Sequence, residues 1–124
     1  MDKLEEIFKM QEQLDAYIIG KRNCFAGNTP EERIQKKCLA LLDETAELLN
    51  EVNYKWWKNP KPVNIGNVQE ELIDMLHFWV SMCLDAGLTP DKIHEVYLRK
   101  NKENLNRQDG TSIKSGYNIN EENN

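Results

Sequence analysis

Four carboxylates stand in two short motifs, Glu44-Thr-Ala-Glu47 and Glu71-Leu-Ile-Asp74, each spaced i, i+3. Residues three apart on a helix are neighbours on one face, so each motif presents two carboxylates side by side. A short connection makes the two carrying helices antiparallel partners, and all four carboxylates then converge. Such a cluster repels itself unless protons or cations neutralise it. An all-oxygen donor set suits a hard cation such as Mg²⁺ better than zinc or copper, so the spacing points to a metal site. One E-x-x-E alone is more often a solvated helix face, and it is the remainder of the chain that singles these two out.

The elements that must position them are all helical. Leu4, Ile7, Phe8, Leu14 and Ile18 recur at helical spacing over about residues 3 to 19, with Gly20 where a stop is expected. On that wheel Gln11 and Asp15 occupy places otherwise apolar, and polar groups facing a core need partners. Thr29-Pro30-Glu31-Glu32 opens a second helix, with Thr29 as N-cap and Glu32 completing a capping box. Its apolar stripe runs beside a ridge of Glu44, Glu47 and Glu51. Residues 54 to 66 hold two prolines and a terminal glycine and read as a loop carrying Trp56 and Trp57. Adjacent side chains cannot both point the same way, so one tryptophan can anchor the core while the other lines a cleft and stacks on a planar ligand.

A third helix is expected to open at Asn67 and close at Gly87. It is apolar nearly all round from Leu72 to Leu84, which requires cover on every side and suggests a subunit interface. Its polar exceptions, Glu70, Glu71, Asp74, His77 and Ser81, share one side. Thr89-Pro90 starts a fourth helix, whose stripe of Ile93, Val96 and Tyr97 turns into Lys100, Asn104 and Arg107. Two cations and an amide on one line suit a chain of phosphates, although cations near a helix C-terminus also suit its dipole. The expected fold is all-α, a helical bundle of about four main helices completed by dimerisation, with one domain over residues 1–117 and a polar tail over 118–124.

Composition narrows the function further. The 124 residues carry a net charge of −5, which argues against general nucleic-acid binding. Cys24, Cys38 and Cys83 are an odd number without C-x-x-C spacing, the first residues lack the pattern of a signal peptide, and the longest apolar stretch is too short to span a bilayer. A cytoplasmic protein with reduced thiols and no membrane partner is expected.

With these features in order, the chain resembles the dimeric all-α dUTP diphosphatases, within the wider MazG-like nucleotide pyrophosphohydrolases. The resemblance rests on Gln11 to Asp15, Glu44-x-x-Glu47, Trp56-Trp57 with their flanking residues, Glu71-x-x-Asp74 with His77, and Lys100-Asn101-x-x-Asn104-x-x-Arg107-Gln108. It implies Mg²⁺-dependent hydrolysis of dUTP to dUMP and pyrophosphate, with Mn²⁺ as a substitute cation. Glu44, Glu47, Glu71 and Asp74 would hold the metal and orient or deprotonate the attacking water. Gln11, Asp15, Trp56 and His77 would form the pocket for uracil and deoxyribose, and Lys100, Asn104 and Arg107 would grip phosphate oxygens from the same or the neighbouring subunit of a homodimer. Asp15 departs from the asparagine of several members, and the chain lacks a helical insertion that many carry. Base selectivity is what this puts in question, since short relatives cleave dCTP or a range of nucleoside triphosphates.

Two other readings compete. Asp74-x-x-His77 imitates the Glu-x-x-His motif of di-iron carboxylate bundles, and Asp91 stands three before His94, but bridging glutamates near that helix are short. A non-enzymatic helical dimer leaves the converging carboxylates unexplained.

Overall fold

The computed structural model describes residues 1–119, which form four helices and no strand: α1 (Lys3–Arg22), α2 (Pro30–Glu51), α3 (Ile65–Asp85) and α4 (Pro90–Asp109). The all-α expectation holds. The chain divides into two compact units, the first Met1–Leu88 and the second starting at Thr89.

Local chemistry sets the helix ends. The Asp2 carboxylate accepts the Glu5 N–H at 2.8 Å while Glu5 reaches back to the Asp2 N–H at 3.2 Å. Thr29 and Glu32 form the same reciprocal pair at the start of α2. Two boundaries differ from expectation. Gly20 does not stop α1, which continues through Lys21 and Arg22 to Asn23, held left-handed at φ 50°. Two cations in the last turn and an asparagine in the αL position do the work assigned to the glycine. In α3 the cap is Asn64, whose side chain accepts the Asn67 N–H at 3.2 Å, so the helix begins at Ile65 and not at Asn67. Asx capping won over the loop-forming tendency of Gly66.

Within the first unit, cross-helix contacts fix direction. Arg33 and Lys37 near the start of α2 pair with Asp85 at the end of α3, whereas Glu47 late in α2 faces Glu71 early in α3. These helices are therefore antiparallel. Gln11 and Asp15 of α1 meet His77 and Ser81 of α3 in increasing order, so those two helices run parallel. The shared interior is small: Phe8, Val80 and Cys83 are the fully buried apolar residues among those described. Much apolar surface stays open on α1 and α3, including Ile7, Met10, Leu14, Leu72 and Ile73.

Residues 52–64 fold back on themselves. Asn53 clamps Lys61 through both its amide oxygen and its amide nitrogen, at 2.9 and 2.7 Å, and Trp56 and Trp57 stack edge to face at 4.6 Å.

In the second unit Thr89 caps α4 through the Lys92 N–H. After Gly110, at φ 74°, the chain turns back. Thr111 and Ser112 donate to the Asn106 carbonyl, and the Ser112 hydroxyl donates to Glu103 at 2.6 Å. The expected polar tail over 118–124 falls mostly on residues 120–124, which lie outside the described residues.

Candidate active site

Glu44 and Glu47 on α2 and Glu71 on α3 each place a carboxylate oxygen within 4.8 Å of the others. The antiparallel register brings this about, because residues three apart on each helix share the face turned to its neighbour. Two of these oxygens, Glu44 Oε2 and Glu71 Oε2, are buried and have no hydrogen-bond partner. Buried acceptors without donors cost free energy, and three like charges compound it. Burial first, then the charge of Glu47, then those of Asp74 and Glu71, push the Glu44 carboxyl up to about 7. Glu71 is raised by burial and by Glu47, Asp74 and Glu51. Asp74 lies outside the tight trio but acts on both raised carboxyls and lines the adjoining cavity. Orphaned buried oxygens and an all-carboxylate donor set fit a hard divalent cation, with Glu44, Glu47 and Glu71 as ligands and Asp74 beside them.

Against this cluster lies a cavity of about 590 Å³ between α1, α2, α3 and the loop after α1. Its polar wall is a continuous chain of hydrogen bonds. Ser81 donates to Asp15 Oδ2 at 2.7 Å, Gln11 Nε2 donates to Asp15 Oδ1 at 2.8 Å, and His77 Nδ1 lies 2.6 Å from Gln11 Oε1. An amide oxygen only accepts, so the hydrogen belongs on His77 Nδ1 and the ring's other nitrogen is left unprotonated in the neutral ring. The two polar intrusions on α1 thus partner the two polar exceptions on α3. Gln11 is buried at 7 % exposure and Ser81 at 2 %. Glu44 and Asp74 line the same cavity, so carboxylates and amide network face one space.

Not every predicted residue joins them. Trp56 is 87 % exposed on the α2–α3 connection and is not among the residues lining this cavity. The aromatic side chains that do line it are Phe25 and Phe78. Phe25 sits at φ 62°, a conformation that a bulky side chain adopts only under constraint. Lys100, Asn104 and Arg107 belong to the second unit and follow one another along α4. Lys100 and Asn104 are exposed, while Arg107 donates from Nε to Glu103 at 3.1 Å and lies 5.6 Å from the Tyr117 ring.

Sequence reasoning missed Arg33, Lys37 and Asp85. Lys37 donates to Asp85 at 2.6 Å and Arg33 donates to the same carboxylate at 3.0 Å. A signal existed: Asp85 continues the line Asp74, His77, Ser81 by one more turn, and Lys37 stands seven residues before Glu44 on the same face of α2.

Residues 3–90 match the family model described as dUTPase. The chain is also 28 % identical over 112 residues to a dCTP pyrophosphatase of Enterobacteria phage T4, an alignment covering 87 % of this chain and 66 % of that protein. No solved structure matches the chain.

Proposed function

The chain belongs to the dUTPase family, and from that premise we propose that it is a Mg²⁺-dependent nucleoside triphosphate pyrophosphohydrolase that converts dUTP to dUMP and pyrophosphate. The observation that carries this reading is the pair of orphaned buried oxygens on Glu44 and Glu71, set beside a cavity walled by Asp15, Gln11, His77 and Ser81. Carboxylates that lack protein donors on one side and a polar network on the other suit a polyphosphate joined to a flat, hydrogen-bonding ring.

Bound at the trio, Mg²⁺ supplies charge neutralisation for the phosphates and polarisation of the bond to be cleaved. The chain's own residues do the remainder. One of the carboxylates Glu44, Glu47, Glu71 and Asp74 would orient the attacking water and accept its proton. Asp15, braced by Gln11 and Ser81, accepts from the base, and Gln11 and His77 complete that wall of the pocket. The family resemblance also implies phosphate contacts from Lys100, Asn104 and Arg107. The Nε contact with Glu103 fixes the Arg107 side chain.

We further propose that the functional unit is a homodimer, because α1 and α3 leave an apolar groove of about 400 Å³ that includes Ile7, Met10, Leu14 and Ile73.

A second reading is supported by the phage relative, a dCTP pyrophosphatase. One assay separates the two: pyrophosphate release from dUTP, dCTP, dTTP and UTP, with Mg²⁺, with Mn²⁺ and with chelator. We expect dUTP to be cleaved fastest and the chelator to abolish turnover. Cleavage of dCTP in preference moves the enzyme to the second reading. Undiminished turnover in chelator overturns the metal assignment.

A further inference from the structure

Lys37, in the cavity wall, has no part in the hydrolytic reading. This residue is 8 % exposed, and its ammonium donates to Asp85 Oδ2 at 2.6 Å. An ammonium has three hydrogens to donate. Asp15 Oδ2 is 3.9 Å away, beyond hydrogen-bond reach, and the Phe25 ring centre is at 5.6 Å. Two donors on a nearly buried cation therefore have no acceptor among the described residues. Asp15 accepts from Gln11 and Ser81, and Gln11 is bound at both ends of its amide.

The position of Lys37 is enforced from behind. Asp85 ends α3, where a negative charge meets the unfavourable end of the helix dipole. It is held there by two cations, Lys37 and Arg33, and Arg33 is itself tied to the Asn28 carbonyl at 2.8 Å. Arg33 alone would neutralise Asp85. The second cation, nearly buried and open toward the cavity, calls for an acceptor that arrives with the ligand.

We propose that Lys37 is a specificity-determining residue that donates to the 4-carbonyl oxygen of a uracil ring, while Asp15 accepts from the adjacent ring N–H. The proposal rests on the reading that a pyrimidine nucleoside triphosphate enters this cavity. Lys37 Nζ and Asp15 Oδ2, side by side at 3.9 Å, are a donor next to an acceptor. The imide edge of uracil offers the complement, a carbonyl next to an N–H. Cytosine in the same pose sets an amino group against the ammonium and a bare ring nitrogen against the carboxylate, so both contacts fail. Cytosine can meet the pair only with its ring turned over, N3 toward the ammonium and the amino group toward the carboxylate, which displaces the sugar and phosphates from where uracil holds them.

The test compares kcat/KM for dUTP and dCTP, with Mg²⁺, in the wild type, Lys37→Met and Lys37→Arg. Lys37→Met is expected to lower kcat/KM for dUTP roughly 10- to 100-fold, mainly through KM, and to change that for dCTP much less, so that the preference collapses. Lys37→Arg is expected to restore part of the preference. Equal losses on both nucleotides, an unmoved ratio, or a larger loss on dCTP each overturn the proposal. Arg33 still neutralises Asp85 in the Met variant. If that variant nevertheless fails to fold, the double variant Lys37→Met with Asp85→Asn carries the same comparison without an unpaired carboxylate. A wild type that cleaves neither nucleotide refutes the functional reading itself, whereas an active wild type with an unmoved ratio refutes only the role of Lys37.

Discussion

At the scale of single residues, the protein holds two clusters that are incomplete in opposite ways. The Glu44, Glu47 and Glu71 trio has acceptors without donors, and Lys37 has donors without acceptors. Removing one charge from the trio relieves repulsion in the free protein, so Glu47→Gln is expected to raise the melting temperature without metal while lowering turnover by at least about 100-fold. Calorimetry beside a pyrophosphate assay reads both, and near-wild-type turnover would remove Glu47 from the site. The raised carboxyls make the same point through pH. Glu44 and Glu71 are raised in the folded protein, so the folded chain binds more protons than the unfolded one above the ordinary value of 4.5. The contribution of Glu44 is fully present below about 4.5 and is lost as pH rises through about 7, and Glu71 acts in the same direction. Metal-free protein should therefore melt progressively lower from pH 5 to pH 8, and saturating Mg²⁺ should flatten that slope because it binds the ionised form. A metal-free profile that rises across this range would contradict the environment assigned to Glu44.

At the scale of elements, what was legible in the sequence was what is decided locally. Thr29-Pro30 and Thr89-Pro90 announce helix starts because a cap needs only residues within one turn, and both helices begin there. The carboxylate ridge of α2 and the polar line of α3 were legible because helical periodicity places residues on faces. Gln11 and Asp15 stood out as polar residues in an apolar stripe, and α3 supplies partners for both. The C-terminal end of α1 and the start of α3 were misjudged where two local signals competed, Gly20 against Asn23 and Asn67 against Asn64. Not legible was the ion pair of Lys37 with Asp85, 48 residues apart, because nothing local says which helix ends will meet. That pair now carries a prediction about α2 and α3 as a unit. Asp85→Ala leaves Lys37 without its one acceptor and should cost about 3 kcal/mol in urea unfolding, as breaking a largely buried pair does. A loss under about 1 kcal/mol would mean that the helices are held by apolar contact alone. On α4, Arg107 already contacts Glu103 and Tyr117, so Arg107→Ala should raise KM for the triphosphate by roughly 10- to 100-fold with only a modest fall in melting temperature, and Arg107→Lys should not fully restore it. A large fall in stability with KM unmoved would mark the residue as structural.

At the scale of the whole molecule, the question is how a chain with so small an interior is stable. Phe8, Val80 and Cys83 are the fully buried apolar residues described, while Ile7, Met10, Leu14, Leu72 and Ile73 are each more than a third exposed. Among the described residues no single helix is long and apolar enough to cross a membrane. Soluble monomers rarely leave contiguous apolar patches of more than a few hundred Å² open, and burying such surface returns about 25 cal/mol per Å². A second copy of the chain is the cover that the family resemblance implies, and the location of the groove gives that cover a catalytic consequence. Gln11 and His77 form part of both the apolar groove between α1 and α3 and the cavity beside the carboxylates, so whatever fills the groove also presses on the hydrogen-bonded wall. Folding, assembly and base recognition should then rise and fall together. Ile73→Glu, which puts a charge in the groove, is expected to shift the protein from twice 14.5 kDa to a monomer in sedimentation and to weaken dUTP hydrolysis in proportion to the dimer lost. Raising the concentration of the variant should recover activity along the same curve as mass. A wild type that sediments as a fully active monomer at low concentration would show that the groove is covered within one chain and that the wall needs no second copy to hold its shape.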